Sequence, residues 1–357
     1  MLNSRNSGKI FFYGMIFIYL FQIVFSFIAQ SIAGGELNRT NEIIERNVAL
    51  LYILINLGLF LAIVLFKEKD YKITSSIKKV NPVSLLWLIL IFAGTLLTGL
   101  ALSNFFIAGL EAIGYSGGEG IIPSMNTVPE LLVAIVIIAV LPSVFEEFFV
   151  RGAILDGLRK NGYVAAIFLS ALFFMLMHGS AEQTVHQFLF GLIAAYIVII
   201  SGSLLTGMIF HFANNLTTVL LVFFTSGATG EEAEIITFAE MVPTLLVMLA
   251  IGVALLYAGL KFYTEHLARA RIKADPARAD EYVEITKGKK NLKFLERLCV
   301  WFVSDKQPGT PEADVFGEPV FVPTIRIEQK EKLDSWIYIA IGLGAALWLV
   351  NFVLAFI

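Results

Sequence analysis

Residues 131–158 read LLVAIVIIAVLPSVFEEFFVRGAILDGL. As a helix this stretch is long enough to cross the roughly 30 Å hydrocarbon core of a bilayer, yet its apolar background is broken by Glu146, Glu147 and Arg151. A charged side chain at mid-membrane costs about 2.5–3.5 kcal/mol on insertion scales, so intramembrane charges face a protein interior or a water cavity and mark working sites. Three of them in six residues require a specific explanation.

The rest of the chain is apolar in the same way. Hydrophobic residues make up 57% of it and charged residues 15%, with a mean hydropathy of +0.79, the composition of a polytopic membrane protein. Further apolar stretches lie near 11–32, 48–66, 83–110, 163–177, 186–200, 203–225, 241–260 and 336–357. With 131–158 they predict an all-α bundle of nine helices, the third long enough to need tilt and the fifth short for a full crossing. The first stretch follows Arg5 and Lys9 as a signal peptide would, but it is too long for an h-region and lacks an Ala-x-Ala site, so it reads as an uncleaved span. A lone cysteine, Cys299, excludes an intramolecular disulfide framework and a multi-cysteine metal site.

Loop charge orients the bundle. With the N-terminus inside, Lys67, Lys69, Lys72, Lys78, Lys79, Arg159, Lys160 and the segment 261–334 fall on the cytoplasmic side, leaving only Arg39 and Arg46 outside. Segments 111–130 and 226–240 hold no Lys or Arg and carry Glu111, Glu119, Glu130, Glu231, Glu232, Glu234 and Glu240. This is the asymmetry of the positive-inside rule, and it sets the C-terminus outside. The net charge of −3 says little about partners, and no basic domain of the nucleic-acid-binding kind is present. The chain divides into a transmembrane core, 1–260, a cytoplasmic segment, 261–334, and a final span, 335–357. The middle segment opens with Lys261, Arg269, Arg271, Lys273 and Arg278, and its Leu292, Leu295, Leu298, Trp301 and Phe302 predict a short helix lying on membrane lipids. Pro and Gly between 308 and 323 predict loop or short extended pieces there.

The polar residues at membrane depth gather at one level. Glu147 and Arg151, four apart, share a helix face and can pair, which as an isolated feature is a structural salt bridge. Glu146 points about 100° away from them, and Pro142, four residues earlier, predicts a kink that opens space beside its carboxylate. At 1.5 Å of rise per residue, Glu146 lies about 20 Å from Arg159 and His178 about 24 Å from Gly162. On the helix that starts near Ser203, His211 is about 12 Å and Asn215 about 18 Å in, on one face. A carboxylate and an imidazole flanking one water can activate it as a general base, and His211 with Asn215 can stabilise the resulting oxyanion, each donor contributing about 3–4 kcal/mol in favourable cases. That chemistry is peptide-bond hydrolysis inside the membrane.

The order Glu146-Glu147-x-x-x-Arg151, Phe174-x-x-x-His178, His211-x-x-x-Asn215 resembles the CPBP family, the CAAX-protease and bacteriocin-processing membrane proteins also called Abi. Arg151-Gly152, Leu155, Leu158, Ser170, Gly191 and the run Ser201-Gly202-Ser203-Leu204 agree with it, over about a quarter of the chain. The resemblance implies an eight-helix core and a glutamate-dependent endopeptidase with no cofactor. In it Glu146 and His178 activate water, His211 and Asn215 form the oxyanion site, and the substrate is a membrane-bound or lipid-modified, CAAX-like peptide reached near the cytoplasmic half of the bilayer. The segment 261–334 and the span 336–357 are additions to that core.

Other readings of the same residues stand beside it. His178, His211 and one glutamate make a His2Glu zinc set, although no His-Glu-x-x-His run exists and Arg151 would oppose a cation. Buried carboxylates also serve transporters as relays, against which no inverted repeat is visible, and the bundle can be a catalytically idle scaffold. Asn214 and Asn215 can join helices. His186 reads as a solvated loop residue near the outer surface, His266 as surface, and Phe173, Phe174, Met175 and Met177 as packing.

Overall fold

The computed structural model describes residues 3–66, 77–117, 125–226, 237–274, 311–313, 319–321 and 331–356. Lys67, Lys69, Lys72, Glu119, Glu231, Glu232, Glu234, Cys299 and the surface helix expected around 292–302 lie outside them. Among the described residues ten helices follow in order: α1 (Ser4–Ala33), α2 (Leu37–Arg46), α3 (Val48–Phe66), α4 (Pro82–Glu111), α5 (Val128–Asn161), α6 (Tyr163–His178), α7 (Thr184–Ser201), α8 (Leu204–Ser226), α9 (Phe238–Ala274) and α10 (Ser335–Leu354). Eight are long and apolar enough to cross a membrane, and α6 is the shorter apolar ninth. The chain is a polytopic helical bundle. With no water in the hydrocarbon to bond exposed backbone groups, apolar runs close their hydrogen bonds internally as helices.

The helices begin where a side chain can take the free N–H groups. Asn3 Oδ1 accepts from Asn6 N at 3.0 Å to start α1, Asn81 caps α4 ahead of Pro82, and Asp334 Oδ1 accepts from Trp336 N at 3.0 Å to start α10. Thr127 and Glu130 form a reciprocal capping box at the head of α5. The amphipathic α2 was not expected: its apolar positions are few and sit between Glu42, Glu45 and Arg46. α9 runs past the apolar stretch that ends near 260, through residues 261–274, which hold no Gly or Pro, to Ala274. Within the long segment that follows, the described residues form one antiparallel ladder, Pro311–Ala313 with Pro319–Phe321.

α5 departs from the single kinked α-helix that Pro142 predicts. Ile135–Val140 and Phe148–Leu155 are π-helical, flanking the α-helical turn Leu141–Glu147. Leu141 N bonds back to Val136 O, five residues away. The wider turns absorb the proline and, as π-segments often do, sit at the residues of interest.

A core of aromatic and aliphatic side chains, including Phe11, Phe149, Phe173, Phe174, Phe190 and Phe210, joins α1, α5, α6, α7 and α8. Small residues let helices meet at backbone distance: a Cβ on Gly252 of α9 would fall 2.6 Å from Thr98 Oγ1 of α4. Phe27, Leu86, Phe168, Phe224 and Leu349 point outward and exposed, the surface that such a bundle presents to lipid.

The bundle has two distinct ends. At one, Asp334 N bonds Ser4 Oγ, Lys78 N bonds Ser203 Oγ, and Glu331 N bonds Lys160 O, which brings together the N-terminus and three connections rich in Lys and Arg. At the other, Ser116 Oγ donates to Ala355 O at 2.8 Å, Tyr115 OH to Glu182 Oε1 at 3.4 Å, and Asn351 Nδ2 to Gly179 O at 2.9 Å. The connections 112–127 and 179–183 that meet there contain no Lys or Arg.

Candidate active site

Glu147 and Arg151 pair as their spacing predicts. Arg151 Nη1 donates to Glu147 Oε1 at 2.8 Å, and both side chains are fully buried. The guanidinium also reaches Gly191 O at 3.5 Å and lies 4.4 Å from the centre of the Phe174 ring, which shields it and supplies a cation–π contact. Gly207 makes room for the carboxylate: a Cβ there would meet Glu147 Oε2 at 2.6 Å and Val198 Cγ2 at 2.7 Å.

A third partner completes this pair. His211 Nδ1 lies 3.1 Å from the same Glu147 Oε1. A carboxylate accepts only, so Nδ1 carries a proton. The opposite nitrogen, Nε2, faces Glu146 Oε2 at 3.9 Å, longer than a hydrogen bond. His211 therefore bridges the two glutamates, where the expected neighbour of Glu146 was His178. Adjacent glutamates diverge around the helix, and an imidazole arriving from α8 spans the gap. Glu146 Oε2 is buried and has no hydrogen-bond partner among the described residues.

His178 ends α6. Its Nδ1 lies 2.8 Å from Phe174 O; the carbonyl can only accept, so Nδ1 donates and Nε2 of the neutral ring keeps its lone pair. The spacing Phe-x-x-x-His thus has a local reason: Phe174 orients His178 through its carbonyl and packs its ring on His178 at 4.7 Å and on His211 at 5.7 Å. Phe174 is more than the packing residue expected. Gly179 terminates the helix with φ 62°, where a Cβ would also fall 2.9 Å from Tyr19 OH and Asn351 Nδ2.

Glu146, His178 and Asn215 line one cleft of about 880 Å³, with Pro142, His186 and Asn214. Asn215 Nδ2 donates to Ile138 O at 2.9 Å. That carbonyl lies four residues before Pro142, which has no N–H to offer it, so the amide of α8 supplies the donor that the proline removes. Its Oδ1 accepts from Asn214 Nδ2 at 3.2 Å, and Asn214 Oδ1 in turn faces His186 Nε2 at 3.2 Å. His186 is not the solvated loop residue expected: it stands in the first turn of α7, half-buried, with a Cβ on Gly99 falling 2.6 Å from its Nδ1. Beside it Glu182 and Gln183 read as loop, and only the packing of α4 reveals the covered ring. His266 is likewise half-buried, its Nε2 enclosed between α9 and its neighbours. Among the described residues, no three of His, Cys, Asp and Glu are grouped to hold a metal ion.

Neither a curated protein nor a solved structure matches the chain. Residues 128–217 match the family model described as type II CAAX prenyl endopeptidase Rce1-like. That stretch runs from the head of α5 into α8 and contains Glu146, Glu147, Arg151, His178, His211 and Asn215. Through these residues, a quarter of its length, this multi-pass membrane protein is similar to the Rce1-like family of CAAX endopeptidases.

Proposed function

We propose that the chain is a glutamate-dependent intramembrane endopeptidase that hydrolyses a peptide bond of a membrane-bound or lipid-modified substrate. The observation that carries this reading is Glu146 Oε2, enclosed and without a hydrogen bond among the described residues, in the same cleft as His178. A water between them meets two acceptors, a carboxylate oxygen and His178 Nε2, and either can take its proton as the oxygen attacks a carbonyl. Arg151 balances Glu147 at 2.8 Å, so the second glutamate acts on the water only through charge and through His211.

The oxyanion that follows needs donors. Asn215 has a second N–H beyond the one held by Ile138 O. His211 donates from Nε2 only when both ring nitrogens are protonated, and Glu147 against Nδ1 with Glu146 near Nε2 supply the counter-charges for that state. With the imidazolium formed, the charges of Glu146, Glu147, Arg151 and His211 sum to zero, the condition under which a buried cluster is tolerable. The same arrangement weighs against a zinc role for these residues: Glu147 Oε1 is already shared by Arg151 and His211, and a second cation would sit beside the guanidinium. In this reading no cofactor takes part, the N-terminus and the Lys- and Arg-rich end are cytoplasmic, and 261–334 is a cytoplasmic segment.

The test is a comparison of membrane peptides in cells expressing the wild type, Glu146→Gln or His178→Ala. One and the same peptide accumulates uncut in both variants. Equal peptide profiles at equal protein levels would instead point to an idle scaffold.

A further inference from the structure

The cleft is not centred in the bundle. Its described walls near the surface come from Tyr115, Met125, Ser180, Glu182, Gln183 and Asn351, all at the end where the connections 112–127 and 179–183 hold no Lys or Arg. From there it descends between α3, α5, α7 and α8 to Glu146, about 20 Å from Arg159 by helical rise. No residue of the opposite end, where Ser4, Lys78, Lys160 and Ser203 meet, lines it. The positive-inside rule makes the basic end cytoplasmic, so the mouth faces away from the cytoplasm. Along its described walls the charged side chains are Glu146 and Glu182, with no Lys or Arg. A free substrate carboxylate would find no cation to hold it there and two carboxylates to repel it.

We infer that the cleft takes its substrate from the non-cytoplasmic face, and that this substrate is an exported, membrane-anchored peptide with neutral or basic residues around the scissile bond. The inference rests on the hydrolytic reading of the cleft, and it replaces the cytoplasmic approach that the family resemblance implies.

The test uses the full chain with Cys299→Ser and one new cysteine, Gln183→Cys at the mouth or Lys79→Cys at the basic end, both sites being exposed. Intact cells are treated with a bulky, membrane-impermeant maleimide, and uncut peptides are compared with those of Glu146→Gln. Gln183→Cys is expected to react before permeabilisation and then to accumulate the peptide seen in Glu146→Gln, while Lys79→Cys reacts only afterwards and keeps processing. Reaction of Gln183→Cys only after permeabilisation overturns the inference and leaves the hydrolytic reading intact, as does unchanged processing once Gln183→Cys is modified. A recovered peptide whose cut site lies in a cytoplasmic segment overturns it as well. If Glu146→Gln accumulates no peptide, the hydrolytic reading falls, and the inference falls with it.

Discussion

Glu147 and Glu146 are neighbours in sequence and opposites in environment. One oxygen of Glu147 holds both Arg151 and His211, whereas Glu146 Oε2 has no hydrogen-bond partner among the described residues. The two should respond differently to mutation. Arg151→Met leaves Glu147 buried without its cation and should destabilise the protein by about 3–5 kcal/mol, read as a lower unfolding midpoint in detergent; adding Glu147→Gln should recover most of that loss. Glu146→Gln should leave the midpoint unchanged and lower turnover by a factor of about 10²–10⁴, the usual contribution of a general base. The Glu147 and Arg151 pair was legible from its four-residue spacing alone. His211 was not legible as the bridge, because depth along a helix says nothing about the direction from which the next helix presents its side chains.

At the scale of the element, α5 and α8 are fitted to each other. Pro142 deprives Ile138 O of its usual donor, and Asn215 supplies one at 2.9 Å. Asn215→Leu should destabilise the protein by about 1–3 kcal/mol, the cost of an unmet buried carbonyl, and by less in a Pro142→Ala background, where the backbone can offer its own N–H. Equal losses in both backgrounds, measured by thermal unfolding, would show that the amide does not act through the proline. Gly207→Ala presses a methyl group onto Glu147 Oε2 and Val198; overpacking of this kind costs about 1–3 kcal/mol, and turnover should fall with it. Pro142 announced a disturbance in α5, but its form, two π-segments around one α-helical turn, depends on contacts with α1, α6 and α8 that no local pattern encodes. Nor did local pattern reveal His186, whose polar neighbours suggest a loop until α4 closes over the ring.

For the whole molecule, the nine apolar helices were legible because lipid demands long uninterrupted runs, and each run is its own signal. The short amphipathic α2 and the length of α9 escaped, since neither differs from an ordinary polar connection in composition. Charge separates the two ends of the bundle, and Glu146 of α5, His178 of α6 and Asn215 of α8 meet in a cleft that reaches only one of them. The proposed hydrolysis needs a water activated at Glu146 without a metal. Its most direct measurement is the rate at which the purified protein, in detergent and excess chelator, cuts the peptide that accumulates in cells expressing Glu146→Gln. Full wild-type cleavage under chelator and none above background for Glu146→Gln are expected; loss of wild-type cleavage in chelator with recovery on adding zinc, or cleavage by Glu146→Gln at the wild-type rate, would rule out metal-free activation at Glu146.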